Sequence, residues 1–284
     1  MKKVLITGKN SYIGTSVESW LMREPDKYQV DTIDVKDGSW GENDFSQYDV
    51  VFHVAGMVHI KETADNQDQY YKVNRDLAYE VAQKAKEDGA GQFIFISSMS
   101  VYGIENGVID KNTPLEPKTS YGKSKIEAEG LISNLQNDTF DVATLRPPLV
   151  YGKGCRGNYS RLADLALKTP IFPRFENKRS MIYIDNLSEF VKKLIDKRCS
   201  GLYFPQNSEY VNTSEMVRII AEAHGSKIVL TKLFNPLLRL LNAGTVNKVF
   251  GDLVYEMSMS DYESDYRVCE FIESIKKTEM NLGD

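Results

Sequence analysis

The chain has 284 residues, 42% of them hydrophobic, enough to bury a sizeable core as one large domain or two coupled ones. Its net charge of −5 argues against a broad phosphate-backbone interface, so nucleic acid is not an expected partner. Cys155, Cys199 and Cys269 are far apart and odd in number, which suits neither a disulfide framework nor a zinc site and fits a reducing cytoplasm. The apolar run behind Lys2-Lys3 stops at Thr7-Gly8, too soon for a secretory leader, and no stretch approaches bilayer-spanning length, so no stable membrane insertion is expected.

Val4–Thr7 reads as a short buried strand. Gly8-Lys9-Asn10-Ser11-Tyr12-Ile13-Gly14 follows and leads into a helical pattern from Thr15 to Arg23. A strand, a glycine turn and a helix start make an anion site. Backbone N–H groups and the helix dipole face a diphosphate there, and glycine lets it approach. Ser11 stands where a middle glycine is usual. Gln29–Ile33 is the expected second strand. Asp34 at its end is placed to accept from adenosine ribose hydroxyls, and a carboxylate there repels a 2′-phosphate, which favours NAD over NADP.

Further strands are expected at Val50–Ala55, Phe93–Ser97 and Val142–Leu145, with helices at Gln69–Asp88 and Ser120–Gln136. The alternation predicts an α/β fold, a Rossmann-type doubly wound parallel sheet with its ligand at the carboxyl ends of the strands. Beyond Gly152 the rhythm breaks at Gly154, Gly157, Pro170 and Pro173. Residues 1–152 are therefore expected to bind the dinucleotide, and 153–284 to form mainly a smaller C-terminal substrate lobe. Within 185–204, a helix at Asp185–Lys197 and a strand at Gly201–Phe204 are expected to return to the sheet. Thr213–His224 is expected as a helix of the lobe. Leu233–Leu241 reads as a lobe helix packing over the substrate, ahead of a membrane-surface or partner patch.

Tyr121 and Lys125 open the Ser120–Gln136 helix. Residues four apart share one face about one turn apart, so the phenol and the ammonium point the same way. A free tyrosine cannot act as a base at neutral pH. A nearby lysine cation, helped by a positively charged nicotinamide, favours the phenolate. The pair then suits moving the proton of an alcohol while a cofactor takes the hydride. His53 is expected to be a structural strand histidine, His59 and His224 surface or loop residues, and no metal site is expected.

Seven segments in order resemble the extended short-chain dehydrogenase/reductase superfamily, in its nucleotide-sugar epimerase/dehydratase branch. They are Thr7-Gly8 to Gly14, Asp49 to Gly56, Val73-Asn74, Ile96 to Gly103, Tyr121 to Lys125, Leu145 to Gly152, and Arg179 to Leu187. The resemblance implies an NAD-dependent enzyme and roles for its residues. Tyr121 is the acid/base, Lys125 tunes it and holds the nicotinamide ribose, Ser98 orients the reacting oxygen, and Asn74 supports Lys125 through water. The cofactor would lie over Gly8, Asn10, Ser11, Tyr12, Ile13 and Gly14. Asp34 would take the ribose, Asp44 and Phe45 would flank the adenine, and Val54, Ala55, Gly56, Ser97, Pro147 and Leu149 would line the rest. A nucleotide-sugar substrate would meet Ser98, with its diphosphate on Arg179, Asn158 and, more weakly, Arg267.

Met99 and Ser100 narrow the chemistry. Dehydratases of this family carry an Asp-Glu pair there, and enzymes that epimerise beside a keto group carry a cysteine at the first position. What remains is reversible alcohol–ketone chemistry at C4 of a UDP-type sugar, as in UDP-glucose 4-epimerases. The alternative is a 4-keto-6-deoxy-sugar reductase, which uses the same residues once. The Arg-Pro-Pro-Leu-Val-Tyr-Gly segment resembles a compact subgroup of surface-polysaccharide enzymes that contains both. The superfamily often forms homodimers through the helices carrying Asn74 and Tyr121, so a homodimer is implied. A distant alternative is a non-catalytic dinucleotide sensor, but such proteins commonly lose the tyrosine or lysine that is intact here.

Overall fold

The computed structural model describes residues 1–58, 60–233, 235, 250–263 and 265–280. His59 and most of the apolar Leu233–Leu241 stretch lie outside the described residues. In chain order the elements are β1 (Lys2–Thr7), α1 (Tyr12–Leu21), β2 (Tyr28–Ile33), β3 (Val50–His53), α2 (Gln67–Tyr71), α3 (Leu77–Glu87), β4 (Gln92–Ile96), β5 (Gly107–Ile109), α4 (Ser120–Ser133) and β6 (Asp141–Leu145). They continue as β7 (Leu149–Tyr151), α5 (Asn158–Lys168), β8 (Ile171–Pro173), β9 (Met181–Tyr183), α6 (Ile184–Lys197), β10 (Gly201–Tyr203), α7 (Thr213–Ala223), β11 (Val229–Thr231), β12 (Leu253–Tyr255) and α8 (Phe271–Glu279).

Six strands form one parallel sheet in the order β10-β6-β4-β3-β1-β2. Its central strands β3 and β4 are buried throughout and mostly apolar, as a parallel sheet covered on both faces requires. Leu5, Val51, Phe93, Phe95 and Val142 pack with Ala78, Val81, Ala82 and Ala85 of α3 and with Ala128 and Ile132 of α4. Small residues on α3 let that helix lie close to the sheet. The strand order reverses at β1, which has β2 on one side and β3 on the other. A crevice at such a reversal, at the carboxyl ends, is where open α/β sheets take their ligand.

The helix expected over 69–88 runs from Gln67 to Glu87, with a π-turn, Lys72–Asp76, between α2 and α3 that carries the buried Asn74. One expectation needs correction. The strands expected to run to Ala55 and Ser97 end earlier, at His53 and Ile96, because the chain peels away there into the loops that build the site.

The chain divides into two units. The first, Met1–Gly103, Pro114–Pro147 and Leu187–Pro205, holds the six-stranded sheet. The second comprises Ile104–Thr113, Pro148–Asn186 and Gln206–Asp284. It contains three parallel strand pairs, β7-β9, β8-β11 and β5-β12, with α5, α7 and α8. Ile104–Thr113 joins this unit because β5 pairs with β12, far along the chain. Tyr151 stacks on Tyr159 at 5.4 Å and hydrogen-bonds Ser274 and Asn207, a buried aromatic and polar centre for this unit.

Gly103 closes the turn after β4 in the left-handed region at φ 66°. A Cβ there would lie 1.9 Å from the Glu116 carbonyl oxygen. Gly103→Ala is therefore expected to lower unfolding free energy by about 2 kcal/mol or more. Urea titration should show a lower midpoint at an unchanged slope.

Candidate active site

The carboxyl ends of β1 and β3 are tied at Thr7. Its carbonyl accepts from Val54 N at 3.1 Å and Ala55 N at 3.0 Å, and its hydroxyl shares a 2.7 Å bond with His53 Nδ1. Gly8 then turns at φ 117°, where a Cβ would sit 2.9 Å from Ala55 N. Only glycine allows that approach. Asn10 is left-handed at φ 63°. Ser11 Oγ accepts from Gly14 N at 3.2 Å and caps α1, which explains a serine where a glycine is usual. A Cβ on Gly14 would lie 2.5 Å from that Oγ. Tyr12 and Ile13 are the first residues of α1 and half-buried.

Asp34 is exposed directly after β2. Gly8 N and Lys9 N both donate to Ile33 O at 3.0 Å, which sets the loop beside it. The Asp34 carboxylate accepts from Lys36 N at 3.0 Å. A glycine cradle, a capped helix start and an exposed carboxylate at the next strand end fit a dinucleotide diphosphate and its ribose. Asp44 is exposed, as an adenine neighbour needs. The Phe45 ring is fully buried among Leu5, Val35 and α3, so its side chain serves the core.

The reacting end is built around α4. Thr119 Oγ1 caps it by accepting from Gly122 N at 3.1 Å, and Ser120 N and Oγ donate to Glu62 at 3.1 and 2.7 Å. Tyr121 follows, half-buried, edge-on to Tyr70 with ring centres 6.4 Å apart. Ser98, the cap of the turn Met99–Tyr102, accepts from Ser100 N at 3.1 Å, and its hydroxyl pulls the pKa of the Tyr121 phenol downward. Lys125 is 4% exposed. Its ammonium donates to Ile96 O at 2.8 Å and lies 4.6 Å from the Phe95 ring centre.

Asn74 is locked to Met57, accepting from its N at 2.8 Å and donating to its O at 3.2 Å. A Cβ placed on Gly56 would lie 3.1 Å from Asn74 Oδ1 and 3.5 Å from Lys125 Nζ, so both head groups converge on the Gly56 backbone. Tyr121, Lys125, Ser98, Asn74 and Gly56 thus come together in the first unit. Beside Tyr121 opens a cavity of about 310 Å³ lined by Val58, Ile60, Glu62, Tyr70, Ser100 and Thr119.

Burial pushes the Tyr121 phenol above its ordinary value, while Ser98 pulls the other way. Burial also brings the Lys125 ammonium down to about 8, with Glu129 opposing. Each charge is costly alone in this low-dielectric setting. His53 is pushed down to about 3 by burial and by Lys125, so it is neutral and structural, as expected. Among the described residues no cluster could hold a metal ion.

The sequence reading missed the group behind this site. Glu129, one turn beyond Lys125, pairs with Arg146 at 2.6 Å, both almost fully buried. Ser97 Oγ donates to Glu129, so the hydroxyl assigned to the cofactor is occupied elsewhere. Arg146 Nη1 donates to the Tyr102 hydroxyl at 2.9 Å. The readable signal was a charged residue at Lys125 plus four, on the helix face that carries Tyr121 and Lys125.

Pro147 is buried at the end of the first unit, its carbonyl accepting from Met99 N at 3.1 Å. Leu149, Asn158, Arg179 and Arg267 belong to the second unit. Leu149 begins β7, and Asn158 is exposed as the first residue of α5. Arg179 pairs by backbone with Val211, and Nη1 donates to Gly251 O at 3.1 Å. Arg267 donates to Gln206 O at 3.2 Å and Ser260 O at 3.3 Å and lies over Tyr266, so it bridges the tail to the unit's interior.

Because folding holds the Lys125 amine below its unfolded value, the unfolded chain binds more protons between about pH 8 and 10.5. Stability should therefore rise with pH across that window, and below it the buried ammonium is a constant penalty. Lys125→Met is expected to raise unfolding free energy at pH 7 by about 1 kcal/mol and to flatten that rise. Urea titrations of the ligand-free protein at pH 7 and pH 9.5 measure both effects.

Comparison with known proteins agrees with this geometry. The family described as NAD dependent epimerase/dehydratase matches residues 4–203. UDP-glucose 4-epimerase of Vibrio cholerae is 28% identical over 249 residues, covering 78% of this chain and 76% of that protein. N-acetyl-alpha-D-glucosaminyl-diphospho-ditrans,octacis-undecaprenol 4-epimerase of Escherichia coli O157:H7 is 26% identical, covering 82% and 76%. Among solved structures, a dTDP-4-dehydrorhamnose reductase of Clostridium acetobutylicum shares the fold at a TM-score of 0.75 and 20% identity, over 97% and 98% of the two chains. With the matched segment running from β1 to the edge strand β10, the chain belongs to the NAD dependent epimerase/dehydratase family and is an NAD-dependent enzyme of the extended short-chain dehydrogenase/reductase type.

Proposed function

We propose that the protein is a 4-epimerase of a diphosphate-linked sugar, with a UDP-sugar as its substrate. The observation that carries this reading is the convergence of Lys125 and Asn74 on the Gly56 backbone with Tyr121 one turn before Lys125 on α4, and with Met99 and Ser100 following Ser98. Neither Met99 nor Ser100 can deliver or remove a proton as a carboxylate pair would. Elimination of water is thereby disfavoured, and alcohol–ketone chemistry is left. Both curated relatives described above carry 4-epimerase names, one acting on UDP-glucose and the other on a diphospho-linked N-acetylglucosamine.

In this reading Tyr121 removes the proton of the sugar C4 hydroxyl and later returns it. Ser98 holds the reacting oxygen against the phenol. Gly8–Gly14, Asp34 and the Val54–Gly56 loop hold NAD, and Lys125 takes its nicotinamide ribose. When bound, NAD accepts a hydride and gives it back. Its positive ring would also supply the charge that brings the Tyr121 phenol down. Arg179 and Asn158 anchor the diphosphate, so that the sugar itself can be gripped loosely and turn over. A homodimer through the helices bearing Asn74 and Tyr121 accompanies this reading.

The same residues would serve a 4-keto reductase in a single direction. Turnover of UDP-glucose or UDP-N-acetylglucosamine without added NAD(P)H supports the epimerase. Dependence on added reductant with a 4-keto-6-deoxy sugar supports the reductase. Tyr121→Phe is expected to keep NAD affinity and to lower turnover about 10²- to 10⁴-fold, read by equilibrium titration and initial rates. Arg179→Ala is expected to raise KM for the nucleotide-sugar about tenfold or more at unchanged NAD affinity. An unchanged KM would remove Arg179 from the site.

A further inference from the structure

Tyr121, Lys125 and Glu129 recur every fourth residue along α4 and so lie one turn apart on one face. Glu129 sits 7% exposed behind Lys125. Arg146 Nε donates to its two oxygens at 3.0 and 3.1 Å, and Nη2 donates to Oε2 at 2.6 Å. Ser97 Oγ donates to Oε1. The same guanidinium reaches the Tyr102 hydroxyl at 2.9 Å. Ser97 directly follows β4 and Tyr102 ends the turn that Ser98 caps. Ser98 therefore lies between two residues held by one buried ion pair.

We infer that the Glu129–Arg146 pair is a positioning device for the reaction: it holds the Ser98 turn against Tyr121 and keeps Lys125 charged. The inference rests on the reading of Tyr121, Ser98 and Lys125 as the reacting set. A buried pair of this kind is weak support for stability, since burying both ions offsets much of their attraction. Its geometry gives it another use. Its two members come from α4 and from the residue after β6, and it is bonded once by Ser97, directly after β4, and once by Tyr102 in the Met99–Tyr102 turn.

The charge acts on Lys125. The described groups set against its ammonium are Glu129 on its own helix, His53 from β3, the Asn74 amide, the Phe95 ring and the Ile96 carbonyl, with Tyr121 one turn before it. His53 is neutral and Tyr121 is protonated in the ligand-free chain. Glu129 is thus the anion set against that ammonium.

Glu129→Gln keeps the side-chain shape and an acceptor for Ser97 and Arg146 but removes the charge. It is expected to move the NMR titration midpoint of Lys125 to lower pH in the ligand-free protein. It should also make turnover fall about tenfold more than wild type between pH 7 and pH 9. Tyr102→Phe removes only the hydroxyl bonded to Arg146 and leaves the pair intact. It should lower kcat about threefold or more at unchanged KM and NAD affinity, and it carries the test if Glu129→Gln does not fold. An unmoved Lys125 midpoint, an unaltered kcat in Tyr102→Phe, or a loss equal at every pH would overturn the inference and leave the pair as a structural bridge. Tyr121→Phe in the same assay separates the two levels. If that variant retains its rate, the reading of the reacting set fails; if it is inactive while Glu129→Gln and Tyr102→Phe match wild type, only the positioning role fails.

Discussion

The site depends first on the bonds made by Thr7. Its carbonyl takes both N–H groups at the end of β3, and its hydroxyl fixes the His53 ring. Two parallel strand ends are thereby drawn together past the last ladder bond. Gly8 can then pass within contact of Ala55, and the chain beyond Ala55 is carried to Gly56, where Asn74 and Lys125 meet. One residue in β1 so links the loop that would face a diphosphate with the groups that would face the nicotinamide end. A larger residue at Gly8 or Gly56 would push these two regions apart.

Much of this was readable in the chain. The strands stand out because a parallel sheet covered on both faces demands continuous apolar runs, and Phe93–Ile96 or Val50–Phe52 satisfy that directly. Gly8 and Gly14 were readable because close backbone approach requires glycine, and Asp34 because it stands directly after an apolar strand. Phe45 was ambiguous, because an aromatic before a strand looks alike whether it faces a ligand or the core. Ser97 was ambiguous for a related reason: a serine hydroxyl near a site is legible, but its partner is set by Glu129, 32 residues away. The π-turn at Asn74 has no periodic signature, since it inserts within a helix whose apolar pattern continues on both sides. β5 was invisible because its pairing with β12 is fixed by contacts across the length of the chain.

Electrostatically, burial acts on both groups: it raises the Tyr121 phenol and weakens the grip of Lys125 on its own proton. In the function proposed above, the positive ring of a dinucleotide would favour the phenolate. The acid/base role proposed for Tyr121 would then belong to the assembled site rather than to tyrosine chemistry as such.

The discontinuity of the two units has a consequence for how the chain can be cut. The sheet's edge strand β10 comes after the second unit has begun, and it covers the hydrogen-bonding edge of β6. A fragment ending at Pro147 would contain the residues of the reacting end and yet leave β6 as a bare, apolar edge. Open edges of that kind recruit other strands. The dinucleotide half is therefore not a portable module: transplanting it or expressing it alone requires the Leu187–Pro205 segment to be supplied as well, and proteolysis between residues 147 and 187 would separate the sheet from its own border.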